Sequence, residues 1–170
     1  MATKYKIFTF LFLSALALDQ GSKVWARQTL KPKYPDVVTV VSGYFDLRYS
    51  ENSGSAFGMF RSLPGGRILL LAIGVLALVA LTYYLYKAEP HRARFGAEMG
   101  LLAGGTLGNV LDRVMYGRVT DFVVWKLGTH EWPTFNVADA ALVVGLAALF
   151  FDDSPAKLVA KQATQTEKGT

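Results

Sequence analysis

Among the acidic residues inside or beside the apolar runs of this chain, five are candidates for chemistry: Asp19, Glu98, Asp112, Asp121 and Asp139. Ionisable groups at membrane depth are expensive and usually functional, so their grouping carries information. Asp121 follows the end of one apolar stretch and Asp139 opens the next, which sets both on one side within reach of each other; Glu98 lies near the opposite end of its stretch. Two ionised carboxylates about 4 Å apart repel by roughly 4 kcal/mol at an effective dielectric of 20, so such a pair holds one proton between them. It then offers a carboxylate to deprotonate a water and a carboxylic acid to protonate a carbonyl oxygen, which is hydrolysis without a covalent intermediate. A plain structural reading uses the same residues: Asp139 capping a helix, and Asp121 paired with Arg113 or Arg118. Residue types alone leave both open.

Other chemistries fit less well. There is no Cys, and His91 and His130 are the only histidines, which excludes a thiolate nucleophile, a disulfide framework and a Cys-based zinc site. His130-Glu131 begins a zincin-like string, but Trp132-Pro133-Thr134 follows and the second His is missing. Ser22 and Lys23 are adjacent, and neighbouring helical side chains point about 100° apart, so they cannot readily share a proton. Gly54, Ser55 and Gly58 lack the spacing of a nucleophile elbow. A proton-coupled transporter would spread its acids through the membrane depth, whereas here they cluster. A lipid-binding scaffold would tolerate loss of either aspartate.

The elements that must hold these acids are membrane spans. With 170 residues, 52% of them hydrophobic, the chain is too apolar for an ordinary soluble domain of its size. Its +5 charge lies at the ends of apolar runs, which suits lipid headgroups rather than nucleic acid. Spans are predicted at about 5–26, 67–87, 95–113 and 135–151, making residues 1–153 a mainly α, four-helix transmembrane unit. The second is free of charge from Ile68 to Tyr86; in the third, Gly96, Gly100, Gly104 and Gly108 stack on one face and let a neighbouring backbone come close. At the first, Lys4, Lys6 and the triplet Ala15-Leu16-Ala17 also fit a cleavable signal peptide. Against that, the helix can run on to about Ala26 with Asp19 and Lys23 as an i, i+4 ion pair.

Between the first two spans, residues of about 36–60 predict a small extracytoplasmic β platform, with Val37–Val41 and Tyr44–Tyr49 joined through Ser42-Gly43. The segment Phe122 to Pro133, bearing Trp125 and Trp132, reads as lying in the interface before the last helix. Residues 154–170 read as a partly disordered cytoplasmic tail. Basic residues near both ends and at Lys87, Arg92 and Arg94 predict cytoplasmic termini, although the first loop is basic too.

Five strings then occur in order: Asp19-Gln20-Gly21-Ser22-Lys23, Asn52-Ser53-Gly54-Ser55-Ala56-Phe57, Gly108-Asn109-Val110-Leu111-Asp112-Arg113, Gly117-Arg118-Val119-Thr120-Asp121-Phe122 and Phe135-Asn136-Val137-Ala138-Asp139. From about Lys6 to Phe151 the chain resembles lipoprotein signal peptidase, also called signal peptidase II. The resemblance implies an aspartic endopeptidase of the bacterial inner membrane, with Asp121 and Asp139 as a catalytic dyad near the outer leaflet. The implied substrate is a diacylglyceryl-modified prolipoprotein, cut before its lipidated cysteine. It implies no metal or organic cofactor and a retained first helix; a monomer among membrane lipids, with no nucleic-acid partner, is expected. Once those positions are accepted, Asn52, Gly54, Asn109, Arg113, Asn136 and Ala138 are expected to bind substrate or support the dyad. Asp19, Lys23 and Asp112 are expected to be structural.

Overall fold

A computed structural model describes residues 2–53 and 65–151. Gly54, the rest of the expected platform up to residue 60, and the tail at 154–170 lie outside the described residues. Helix α1 runs Thr3–Thr29, followed by a 3-10 turn at Lys31–Lys33 and strands β1 (Val38–Val41) and β2 (Phe45–Asn52). Helices α2 (Gly66–Lys87) and α3 (Ala93–Tyr116) come next. Strands β3 (Val119–Leu127) and β4 (His130–Glu131) then precede helix α4 (Val137–Phe151). The described residues are mainly helical, with one four-stranded antiparallel sheet among them in the order β1-β2-β3-β4.

Among the described residues, α1 and α2 are long and apolar enough to cross a bilayer. Helix α4 is apolar after Asp139 in its first turn, but its 15 described residues rise only about 22 Å. Helix α3 is long enough and carries the polar groups, including buried Glu98, Asn109 and Asp112. The packing is inverted relative to a water-soluble core. Ile68, Leu76 and Val79 of α2 and Val143 and Phe150 of α4 face outward, while Asp19, Lys23, Asp112 and Asn136 are fully enclosed. That distribution suits lipid outside and polar chemistry inside.

The expected boundaries shift at all four helices, by a single residue at the start of α2. Helix α1 extends three residues past the predicted end, and α3 begins two residues early and ends three late. Helix α4 starts at Val137 rather than 135, because Phe135 is held in extended pairing with β3. The glycine face lies where the spacing put it. Gly96 abuts the backbone of Lys4, Gly100 that of Phe8, Gly104 that of Phe12, and Gly108 the Asp19 carboxylate, so α1 and α3 touch along their length.

The segment from Phe122 to Pro133, expected to lie in the interface, is built largely of strand, holding most of β3 and all of β4. β3 pairs with β2 in the register Leu47↔Val123, Ser50↔Asp121 and Asn52↔Val119, and then turns through Gly128 into β4. The reason is the open side of β2, whose backbone groups need partners that the β-branched Val119, Thr120, Val123 and Val124 readily extend to meet. Trp125 and Trp132 still project outward from it. The predicted hairpin forms, with Gly43 in the left-handed region (φ 79°) where the chain reverses between β1 and β2.

Two basic residues that read as flanking charge have a second use. Lys4 is buried, and its ammonium donates to the carbonyls of Leu85 (2.7 Å), Tyr86 (3.2 Å) and Ala88, closing the C-terminus of α2. Arg67 likewise donates to the carbonyls of Arg113 (3.1 Å) and Val114 (3.3 Å) at the end of α3. Cations there satisfy orphan carbonyls and complement the helix dipole.

Candidate active site

Three local features bring the acids together. Gly117, in the left-handed region (φ 76°), ends α3 and turns the chain into β3. Irregular pairing of β2 between Leu47 and Ser50 falls beside Asp121, where a bulge re-aims side chains. Phe135 then lies against β3: its carbonyl accepts from Phe122 N (3.0 Å) and Val123 N (2.9 Å), and its own N–H donates to the Val123 carbonyl (3.0 Å). That pairing sets the first turn of α4 next to Asp121.

Asn136 and Asp139 form a reciprocal cap on that turn. The Asp139 N–H donates to Asn136 Oδ1 (3.0 Å), and the Asn136 N–H donates to Asp139 Oδ2 (3.2 Å). The capping expected of Asp139 is therefore present, and it holds a carboxylate that other groups also address. Asn109 Nδ2 donates to Asp139 Oδ1 (2.8 Å), and Asn136 Nδ2 reaches across to Asp121 Oδ1 (2.6 Å). Asn52 Nδ2 donates to the other oxygen, Asp121 Oδ2 (3.2 Å). The two acids are thus bridged by asparagine side chains. Arg118, one of the two expected partners of Asp121, instead pairs with Glu51 at 2.6 Å.

Burial pushes the Asp121 carboxyl up to about 7, and the charge of Asp139 pushes the same way; the donors on Asn136 and Asn52 and the charge of Lys23 act against both. A group so perturbed in a cleft is well suited to acid catalysis near neutral pH. The cleft has a volume of about 700 Å³. Asn52, Asn109, Arg113, Asp121, Asp139 and Trp132 line one part of it, and Leu70, Ile73 and Ala77 of α2 form an apolar wall.

Behind the acids lies a buried ionic group. Lys23 contacts Asp19 (2.9 Å) and Asp112 (3.7 Å) and donates to Asn109 Oδ1 (2.9 Å). The expected Asp19–Lys23 pair is therefore present and fixes α1 against its neighbours. Asp19 Oδ1 also accepts from the N–H of Ala138 (2.9 Å), and Asp112 Oδ2 from the N–H of Thr120 (2.8 Å). Arg27, one turn beyond Lys23, reaches Asp112 Oδ1 (3.4 Å) and Thr120 Oγ1 (2.9 Å).

Each expected site residue among those described lies in or beside this cluster, with some differences of role. Asn109 supports the pair through Asp139, because it projects toward the start of α4. The Arg113 guanidinium donates to the Asn109 carbonyl (3.2 Å) while lining the cleft. Ala138 is enclosed where α4 meets Gly105 and Gly108, and it contributes a backbone N–H. Sequence reasoning missed Arg27, Thr120 and Gln20, whose amide donates to Asp19 Oδ2 (3.0 Å) and to the Gly108 carbonyl (3.1 Å). For Arg27 a signal existed, since it follows Asp19 and Lys23 at four-residue steps on one helix face.

Known proteins share this fold and much of this sequence. A bacterial membrane enzyme solved by the in meso method at 2.3 Å superposes with a TM-score of 0.79 at 28% identity, covering 92% of this chain and 96% of that one. The lipoprotein signal peptidase of Rhodopseudomonas palustris (strain TIE-1) is 40% identical over 143 residues, 81% of this chain and 85% of the relative. That of Xanthomonas axonopodis pv. citri (strain 306) is 38% identical over 154 residues, 85% and 87% of the two chains. The model of the family Signal peptidase (SPase) II matches residues 11–153. With the acids, their asparagine bridges and the fold all in place around that match, the chain belongs to the signal peptidase II family.

Proposed function

We propose that this protein is a membrane aspartic endopeptidase that removes the signal peptide from diacylglyceryl-modified prolipoproteins, cutting before the lipidated cysteine. The observation that carries the chemistry is the asparagine-bridged pair Asp121 and Asp139 on the wall of one cleft, drawn from a strand and a helix start. Family membership supports the substrate.

In this reading the dyad holds one proton, carried at rest by Asp121, whose carboxyl is the one pushed up by burial and by its neighbour's charge. Asp139 takes a proton from a water as the water oxygen bonds to the scissile carbonyl carbon. Asp121 gives its proton to the carbonyl oxygen. Collapse of the tetrahedral intermediate breaks the C–N bond: the proton held by Asp139 passes to the leaving amine, and the hydroxyl returns its proton to Asp121. Asn109, Asn136 and Asn52 hold the two carboxylates so that no reorganisation is needed at the moment of reaction. Arg113, at the cleft wall, is placed to bind substrate carbonyls.

We further assign four spans, with both termini cytoplasmic and the cleft near the outer leaflet of the inner membrane, acting as a monomer. The apolar wall from α2 then accepts the acyl chains, and at about 0.8 kcal/mol per buried methylene lipid contact positions the scissile bond at a fixed depth. Gly54, two positions after Asn52 in the sequence, is assigned to substrate binding in this reading.

The test is cleavage of a diacylglyceryl-modified prolipoprotein peptide by purified protein in detergent, comparing wild type with Asp121→Asn and Asp139→Asn. Wild type is expected to cut before the modified cysteine, and each folded variant to lose at least about 1,000-fold in kcat. Near-normal activity in either variant removes the dyad mechanism, and no cleavage by wild type removes the substrate.

A further inference from the structure

Lys23 is completely enclosed in α1, yet it stands one amide away from Asp139. We propose that Lys23 is a positioning residue for the hydrolysis: its ammonium fixes which way the Asn109 and Asn136 amides face, so that both donate into the two carboxylates. The proposal rests on the dyad reading given above.

The argument is one of donors and acceptors. A carboxamide fits its space almost equally well with oxygen and nitrogen exchanged, and its partners alone decide between the two. An ammonium has three donors and no acceptor. Lys23 Nζ lies 2.9 Å from Asn109 Oδ1, and the exchanged amide would set an NH₂ against that ammonium. Oxygen must therefore face the lysine, and the nitrogen is aimed at Asp139 Oδ1, 2.8 Å away. The same Asn109 oxygen accepts from Asn136 Nδ2 (3.2 Å), which also donates to Asp121 Oδ1 (2.6 Å). Asn136 Oδ1 is then left facing the Asp139 N–H (3.0 Å). One cation thus sets the polarity of two amides, and the shared proton of the dyad is kept off both oxygens they address.

The groups that hold Lys23 point the same way. Asp19, its partner at 2.9 Å, accepts from the N–H of Ala138, next to Asp139. Asp112, at 3.7 Å, accepts from the N–H of Thr120, next to Asp121. The lysine is therefore held by the two carboxylates that dock the backbone beside each acid of the dyad. A structural cation needs only Asp19. Placement against an amide that itself addresses Asp139 is what orientation requires.

The experiment is a double-mutant cycle on the purified full-length protein, with Lys23→Met, Asn109→Ala and the two combined. It reads kcat and KM on the lipid-modified peptide, with thermal melts to establish that each is folded. Lys23→Met is expected to lower kcat on the order of 10- to 100-fold with KM changed less than about threefold. In the Asn109→Ala background, removing the lysine is expected to cost less than about threefold more, because the path is already broken. Losses that multiply across the cycle, or a folded Lys23→Met variant within about twofold of wild-type kcat, overturn the proposal. Should Lys23→Met alone not fold, the charge-balanced Lys23→Met with Asp112→Asn, measured against Asp112→Asn, carries the same cycle. Asp121→Asn and Asp139→Asn are run beside them. Activity in those variants overturns the dyad itself, whereas inactive dyad variants with multiplying lysine losses overturn only the role of Lys23.

Discussion

Helices α1 and α3 meet along a single seam whose two ends are built from opposite materials. Toward the N-terminus of α1, Lys4, Phe8 and Phe12 offer backbone atoms to Gly96, Gly100 and Gly104, and the contact is one of closely approaching backbones. Toward the cleft, Asp19 lies on Gly108, Lys23 on Asn109 and Arg27 on Asp112, so the same two helices enclose charges. In a lipid-facing protein, burial of apolar surface gives no drive for helices to associate, so close backbone approach must hold the pair. The glycine end supplies that approach. With position fixed there, the other end can carry ionised groups that would be costly to bury without partners. Stability and chemistry are thus divided along one seam, and substitutions at the two ends are expected to fail differently.

The largest effect is expected at the glycine end. A Cβ on Gly104 would stand 2.8 Å from the Phe12 carbonyl oxygen and 2.9 Å from the Ala15 Cβ, and both neighbours are held by helix backbone. Gly104→Leu must therefore force α1 and α3 apart, at about 3 kcal/mol or more. The expected outcome is a large fall in melting temperature, with the residual folded fraction keeping its kcat per molecule. Melts in detergent alongside active-site titration check this. Loss of kcat at unchanged stability would show that the division proposed for the seam does not exist.

At the polar end the expected order reverses. Asn136→Ala removes the donor to Asp121 Oδ1 and the acceptor for the Asp139 N–H together. The missing cap costs only about 1 kcal/mol of stability. The two displaced carboxylates, by contrast, are expected to cost on the order of 100-fold in kcat. Paired melts and kinetics decide the matter; a variant that unfolds while its folded fraction stays fully active would make Asn136 a cap and nothing more.

Much of this division was readable in the chain itself, and what was not has a common cause. The glycine spacing marked the close-packing face of α3, though not its partner, since helical periodicity is local, and the i, i+4 pairing of Asp19 with Lys23 is local in the same way. The reciprocal cap of Asn136 and Asp139 is also three residues long. The unread parts join distant segments. Strand β3 exists because β2 offers it a partner, Lys4 closes a helix that ends more than eighty positions later, and Arg67 closes one that ends at Tyr116. No window of sequence contains both members of such pairs. Trp125 and Trp132 face outward, as expected of an interfacial segment, but their exposure carries no sign of the strand that pairs with β2.

The smallest expected effect falls at the edge of the polar cluster, at Asn52. Its Nδ2 donates to Asp121 Oδ2 from the end of β2, at 3.2 Å, and a donor there favours the ionised carboxylate. Removing it in Asn52→Ala raises the Asp121 carboxyl above the value of about 7 it has in the intact protein. The proposed reaction needs Asp121 protonated, so wild-type kcat/KM is expected to fall about tenfold per pH unit above that point. In the variant the fall begins at higher pH, and the ratio of activity at pH 8 to activity at pH 6 is therefore larger than in wild type, even if kcat at the optimum drops by about tenfold. A pH series of kcat/KM for the two proteins reads the shift directly. If the alkaline limb instead stays where it is, or moves to lower pH, Asp121 is not the acid that titrates there, and the roles assigned to the two aspartates must be exchanged.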